Sequence, residues 1–146
     1  MRIFIDTNIL LDYICHRDPF YEDAKSLIKL CMEGDESGVI AAHSICNIDY
    51  IAQKLYSMEE RRVILHNLCT FLYVESVDKE KLISAIENMN FADLEDGIQY
   101  ECAVSQGTEY IITRNKKDFL NSSIPVLTAQ EFLGLRNNPL PASKTL

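Results

Sequence analysis

Several features that would narrow the protein's role at once are missing from its 146 residues. No apolar run approaches the ~18 residues of a membrane span, and no charged-then-apolar leader precedes the first strand-like segment. The five cysteines (Cys15, Cys31, Cys46, Cys69 and Cys102) are an odd number, form no C-x-x-C pair and have no histidine at zinc-site spacing. Most read as small core residues, and a cytosolic, reducing compartment is expected. Internal repeats, low-complexity stretches and linkers are also absent, so a single domain is expected. Basic charge is scarce: 14 Lys+Arg face 22 Asp+Glu, a formal net charge of −8. That is the reverse of the footprint of a free-standing nucleic-acid binder. Such an excess of acid either serves solubility or gathers at one place to hold cations.

Hydrophobic residues make up 47% of the chain and charged residues 25%, the composition of a globular protein with a core to bury. Arg2-Ile3-Phe4-Ile5 is strand-like and ends at Asp6-Thr7-Asn8, residues that favour turns and caps. Apolar positions at helical spacing follow over Phe20–Cys31, closed by Gly34, and then a short strand at Gly38–Ala41. Helical stripes over 44–56 and 59–70 precede a strand-like run at Phe71–Val74, and Leu82, Ile83, Ile86 and Met89 mark another helix. Leu94, Ile98 and Cys102 place a helix over about Asp93–Gln106, closed by Gly107. Tyr110–Thr113 and Ile124–Leu127 read as the last strands. Strands alternating with helices of this length define βα units, hence a three-layer α/β/α sandwich around a central parallel sheet. The domain is expected over 1–135, with 136–146 a flexible tail carrying Pro139 and Pro141.

In an open parallel sheet, ligands bind beyond the carboxyl ends of the strands. Asp6 follows the first strand, and Asn115 and Asp118 follow the strand at 110–113. Asp93 and Asp96, three apart at the start of the intervening helix, can point the same way. Carboxylates from three distant stretches then meet at one sheet edge. Their mutual repulsion demands a cation, and an all-oxygen set suits Mg²⁺ or Mn²⁺. A metal so held lowers the pKa of bound water and stabilises charge on a phosphoryl oxygen. Each acid also has a plainer reading: Asp6 as the cap of a helix starting near Ile9, Asp93 as an N-cap with Asp96 completing a capping box, and Asp118 as a solvated loop acid. His16, His43 and His66 are scattered and read as structural or exposed. Arg114, Lys116 and Lys117, beside the acids, are the local candidates for phosphate contact.

The blocks Ile5-Asp6-Thr7-Asn8-Ile9-Leu10-Leu11-Asp12, Asp93-Leu94-Glu95-Asp96 and Ile112-Thr113-Arg114-Asn115-Lys116-Lys117-Asp118-Phe119 closely resemble the three motif blocks of PIN-domain proteins. The closing Pro125–Leu133 segment also looks like that family, so the likeness runs from Arg2 to about Leu133. The resemblance implies a Rossmann-like sandwich, a Mg²⁺- or Mn²⁺-dependent ribonuclease site acting on RNA, and, in the common bacterial form, a VapC toxin paired with an antitoxin protein. It makes Asp6 the first metal-binding acid, Asp96 the acid at the head of the late helix and Asn115 with Asp118 the last pair, with Asp93 an additional acid. Thr7 and Asn8 shape the first turn, and the Thr113 hydroxyl faces the site. It also implies a homodimer, for which Leu27, Ile28, Leu30, Ile64 and Leu68 offer apolar surface unless they pack in the core.

Two positions depart from many active relatives. Asn47 stands where they carry a Glu on the helix after the second strand, and Asn115 where many have Asp. Asp49 does not substitute, because two positions along a helix is about 200° of rotation. The expected activity is metal-dependent hydrolysis of RNA, with a catalytically weak binding module as the alternative. A haloacid-dehalogenase-type phosphatase needs a second carboxylate two residues after the first, where this chain has Asn8. A two-component receiver needs an acidic pair at the first strand end.

Overall fold

The computed structural model describes residues 1–138. Five parallel strands lie in the order β3-β2-β1-β4-β5: β1 (Arg2–Ile5), β2 (Ser37–Ala41), β3 (Tyr73–Glu75), β4 (Tyr110–Ile112) and β5 (Val126–Leu127). The helices between and after them are α1 (Thr7–Ile14), α2 (Tyr21–Met32), α3 (Ala42–Ala52), α4 (Met58–Phe71), α5 (Lys79–Glu87), α6 (Leu94–Ser105) and α7 (Ala129–Asn137), with a 3-10 turn at Lys116–Phe119. The α/β/α sandwich expected from the alternation of strands and helices is the fold observed.

Period-two alternation along the strands sorts the core into two halves. Ile3, Ile5, Ile40 and Ile112 point to one face and are covered by α1, α2, α3, α4 and α7. Phe4, Val39, Ala41 and Ile111 point to the other, against Cys102 and Ala103 of α6 and Phe119 of the 3-10 turn. Gly38 is required by close approach: a Cβ there would lie 2.6 Å from Leu72 and 2.9 Å from the Cys31 sulfur. Gly107, at φ 59°, closes α6 in the left-handed region that glycine enters without penalty.

The element ends differ from the sequence reading in instructive ways. The strand expected over 71–74 begins only at Tyr73, because the Leu72 N–H still donates to the Leu68 carbonyl and closes α4. Only Val126–Leu127 of the run 124–127 pairs as strand, since Ser122 Oγ and Ile124 exchange local hydrogen bonds. Cys31 and Cys102 are buried, but Cys46 and Cys69 are exposed, so burial is not the rule for the cysteines. Of the apolar residues considered for an interface, Leu27, Ile28 and Leu68 lie in the core, and Leu30 and Ile64 pack against it. Arg136 and Asn137, placed in the tail by sequence, close α7, and Arg136 pairs with the buried Glu36. The remainder of the expected tail, 139–146, lies outside the described residues. Among the described residues no helix is long and apolar enough to cross a membrane.

The strand order reverses at β1, whose neighbours are β2 on one side and β4 on the other. Connections leave in opposite directions there, and a crevice opens beyond the carboxyl ends of β1 and β4.

Candidate active site

Asp6 stands at that switch point. Its backbone N–H donates to the Ile112 carbonyl at 3.0 Å, so the last rung of the β1–β4 ladder fixes it. It is the N-cap of α1, yet its side chain makes no capping hydrogen bond. The carboxylate turns inward, 5% exposed, where Oδ1 accepts from Gln99 Nε2 at 3.0 Å and Oδ2 from Thr113 Oγ1 at 2.8 Å. Burial raises its pKa above the ordinary carboxylate value, and the two neutral donors only partly offset this. Thr7 extends the network: its hydroxyl lies 2.6 Å from Ser44 Oγ, and its N–H donates to Gln99 Oε1 at 3.2 Å. Asn8, next in the same turn, is exposed.

Helix α6 brings the second group. Asp93 is its N-cap, accepting from the Glu95 N–H at 2.8 Å, which bears out the N-cap reading and fixes where the helix starts. The capping box expected with Asp96 does not form, because the bond goes to Glu95 and not to Asp96. Asp96, one turn in, is half-buried and has no Lys or Arg paired to it among the described residues. Its carboxyl is pushed up to about 7, first by burial and then by the negative charges of Asp93, Asp6, Asp118 and Glu95. Gln99, 1% exposed and three residues further along, carries the Asp6 contact. Glu95 reaches across to α3, where Asn47 Nδ2 donates to its Oε1 at 3.3 Å and His43 Nε2 stands 3.6 Å away. His43 is the first cause holding the Glu95 carboxyl below its ordinary value.

The loop after β4 completes the site on one side and turns away on the other. Thr113 Oγ1 donates to Asp6 and accepts from the Asn115 N–H at 3.1 Å. Asp118 sits in the 3-10 turn, its N–H bonded to the Asn115 carbonyl, close enough to act on Asp96. Arg114 instead points to Asp12, Nε 3.1 Å from Oδ2, with its guanidinium 4.4 Å above the Phe20 ring. Lys116 Nζ is bonded to both Glu131 oxygens at 3.0 and 3.1 Å. Lys117 makes no hydrogen bond or ion pair among the described residues.

Sequence alone does not single out Gln99, Ser44 or Glu95; it makes Asn47 a polar support of the site, able to offer a carbonyl oxygen or hold a metal-bound water, and His43 a structural or exposed residue. For Gln99 a signal exists in the i, i+3 spacing from Asp96, which puts it on the same helical face. The cross-helix contacts of Glu95 carry no such local signal. The donor set around Asp96 is all oxygen and carries uncompensated negative charge, which is the chemistry of a site for a hard divalent cation. Among the described residues no three His, Cys, Asp or Glu side chains are already drawn together as a ligand set.

A sheet with this order and acids at its switch point define a class, and the PIN-domain family model matches residues 2–117. The chain belongs to that family. It is 26% identical over 134 residues to ribonuclease VapC1 of Aquifex aeolicus strain VF5, covering 90% of this chain and 92% of that protein. Among solved structures, a toxin–antitoxin complex from Klebsiella pneumoniae matches with a TM-score of 0.66 at 23% identity, over 87% of this chain and 97% of that one. VapBC2 of Rickettsia felis, bound to a DNA fragment from its promoter, matches with a TM-score of 0.62 at 18% identity, over 87% of this chain and 97% of that one. At those identities the structural likeness speaks for the fold.

Proposed function

We propose that the protein is a metal-dependent endoribonuclease that hydrolyses RNA phosphodiester bonds, the toxin of a toxin–antitoxin pair. The observation that carries this is Asp96, half-buried and crowded by the negative charges of Asp93, Asp6, Asp118 and Glu95, with no Lys or Arg paired to it among the described residues. Family membership and the VapC1 relative support the choice of RNA and of an antitoxin partner. Asp6, Asp96 and Asp118, assisted by Asp93, are the residues that would hold Mg²⁺ or Mn²⁺. When bound, such an ion supplies a water of lowered pKa and neutralises charge on the phosphoryl group.

The chain's own residues do the rest. Gln99 and Thr113 each donate to one oxygen of Asp6 and so fix the orientation of its carboxylate. Thr113 also pins the Asn115 N–H, setting the loop that carries Asp118. Lys117 is the basic side chain left for phosphate contact, since Arg114 and Lys116 are engaged elsewhere. Leu55, Met58 and Val63, exposed around the α3–α4 connection, support a protein-facing surface for an antitoxin or a second copy.

The test is cleavage of tRNA, rRNA and mRNA pools with Mg²⁺ or Mn²⁺ by the parent, Asp6→Asn and Asp96→Asn. The parent is expected to cut and both variants to lose cleavage while unfolding as the parent does. Undiminished cleavage by the Asp6→Asn/Asp96→Asn double variant would falsify the assignment. A second reading, a binding module without turnover, is favoured by one observation: the Asn47 amide is engaged with Glu95, and no ligand set is drawn in beforehand. Saturable Mn²⁺ binding without cleavage of any pool selects it.

A further inference from the structure

Beside the acids lies a second cavity, of about 300 Å³, lined by Thr7, Asn8 and Leu11 of α1, Asn47, Tyr50 and Ile51 of α3, and Glu95 of α6. Its volume is at the lower end of the range of small-molecule sites, ~300–1,000 Å³, which suits one planar group and not a whole nucleotide chain. Its walls have distinct characters. Leu11 and Ile51 make an apolar floor. Tyr50 is 71% exposed, an unusual placement for an aromatic ring with no partner ring among the described contacts. Asn47, Tyr50 and Ile51 fall at i, i+3 and i+4, so α3 presents amide, ring and aliphatic surface on one face. Glu95 closes the far side, with Asn47 and His43 both directed at its Oε1. Oε2 has no hydrogen-bond partner among the described residues. Thr7 belongs both to this cavity and to the Asp6 network, so the two sites adjoin.

We propose that this cavity seats one base of a single-stranded RNA next to the acidic site, the base stacked on Tyr50 and donating an exocyclic amino hydrogen to Glu95. The inference rests on the ribonuclease reading for its substrate class. Every base has a π-face, so stacking on an exposed aromatic ring binds without choosing among them. The choice comes from the carboxylate: it accepts from the exocyclic amino groups of adenine, cytosine or guanine, whereas uracil offers only its ring N3–H, flanked by two carbonyl oxygens that repel the carboxylate. The cavity therefore selects an amino-bearing base over uracil at one position beside the cut.

The test uses neutral nucleosides, which bring neither phosphate nor a need for metal. Adenosine, cytidine and uridine are titrated at millimolar concentration into uniformly ¹⁵N-labelled protein, following the Asn8 and Asn47 side-chain amides and the Tyr50 region. Adenosine and cytidine are expected to shift these signals, with uridine about ten-fold weaker, because it lacks the exocyclic amino donor and sets two carbonyl oxygens beside its N3–H against the charged acceptor. Tyr50→Ala should weaken all three about ten-fold, and Tyr50→Phe should not. Glu95→Gln should collapse the ratio between cytidine and uridine. That ratio is unmoved by a general change in local charge. Equal response to the three nucleosides, no response at the cavity amides, or a ratio kept in Glu95→Gln overturns the proposal. Mapping cut sites with the parent separates the two readings: cleavage with no base preference sinks the base pocket alone, and nucleoside selection without cleavage sinks the nuclease alone.

Discussion

Asp6 and Asp12 are six residues apart at the two ends of one short helix, both buried, and their charges meet opposite treatment. Asp12 is 0% exposed, with Arg114 Nε at 3.1 Å from one oxygen and Arg17 at 3.9 Å from the other. Burial raises its pKa, and the two guanidinium groups oppose that rise. Phe20 lies under Arg114, so the pair joins α1, the start of α2 and the loop after β4. Asp6 is met by neutral donors, the Gln99 and Thr113 side chains foremost, with no guanidinium or ammonium paired to it among the described residues. A buried carboxylate answered by arginine is committed to the fold. One answered by an amide and a hydroxyl has no counter-charge in the fold.

Removing Asp12 should have the largest effect on stability. Asp12→Ala leaves Arg114 and Arg17 without their buried counter-charge and is expected to cost about 3 kcal/mol in urea unfolding. Arg114→Ala on top of it should cost much less than Arg114→Ala alone, a coupling that a double-mutant cycle reads directly. If the two costs simply add, Arg114 is not the group that answers Asp12.

At the other end of α1, Asp6→Asn should leave stability equal to the parent or slightly higher. The sign follows from the raised pKa: the ionised form costs stability at pH 7, and a neutral isostere removes that cost. A loss of several kcal/mol in the same unfolding experiment would place Asp6 with Asp12.

Gln99→Ala tests the neutral support of Asp6. It should weaken Mn²⁺ binding, measured by calorimetry, about 10–100-fold, the usual consequence of losing a group that orients a metal ligand. Smaller again, Phe20→Ala removes the ring beneath Arg114 and should cost about 1 kcal/mol, seen as a drop in Tm.

The smallest effect is a pH dependence far from the site. Glu75, at the end of β3, is buried, which by itself raises its pKa, but hydrogen bonds from Gln106, Ser105 and the Ser76 N–H, with the charge of Lys81, more than offset this and leave it lowered. Its stabilising contribution is therefore complete above the unfolded-chain value near ~4.3 and is lost as the pH falls through the lower folded value. Glu75→Gln should make the acid-side loss of stability shallower between neutral pH and about pH 3, and identical acid profiles would remove Glu75 from that account.

Much of this was legible in the chain. Arg2–Ile5 ending at Asp6, Gly107 after a helical stripe, and Asp93 three residues before Asp96 are local patterns, and local patterns survive in sequence. Helix α7 was less legible: its hydrophobic spacing is weak, and its marker is the capping box between Thr128 and Glu131. The fates of Arg114 and Lys116 were not legible at all. Both read as phosphate contacts because they flank acids in sequence, yet Arg114 answers Asp12 and Lys116 answers Glu131. Glu95 likewise reads as one more acid on a helix, and only the packing of α6 near α3 sets it against Asn47 and His43.

By itself, then, the sequence determined the parallel sandwich and which acids stand at strand and helix ends, because periodicity, caps and turn residues act over a few residues. Only the tertiary structure decided which charges are neutralised and which stay free. Asp6 and Gln99 are 93 positions apart, and Asp12 and Arg114 are 102. Whether a buried carboxylate meets an amide or a guanidinium depends on helices and loops converging at a sheet edge, and no local pattern records that convergence.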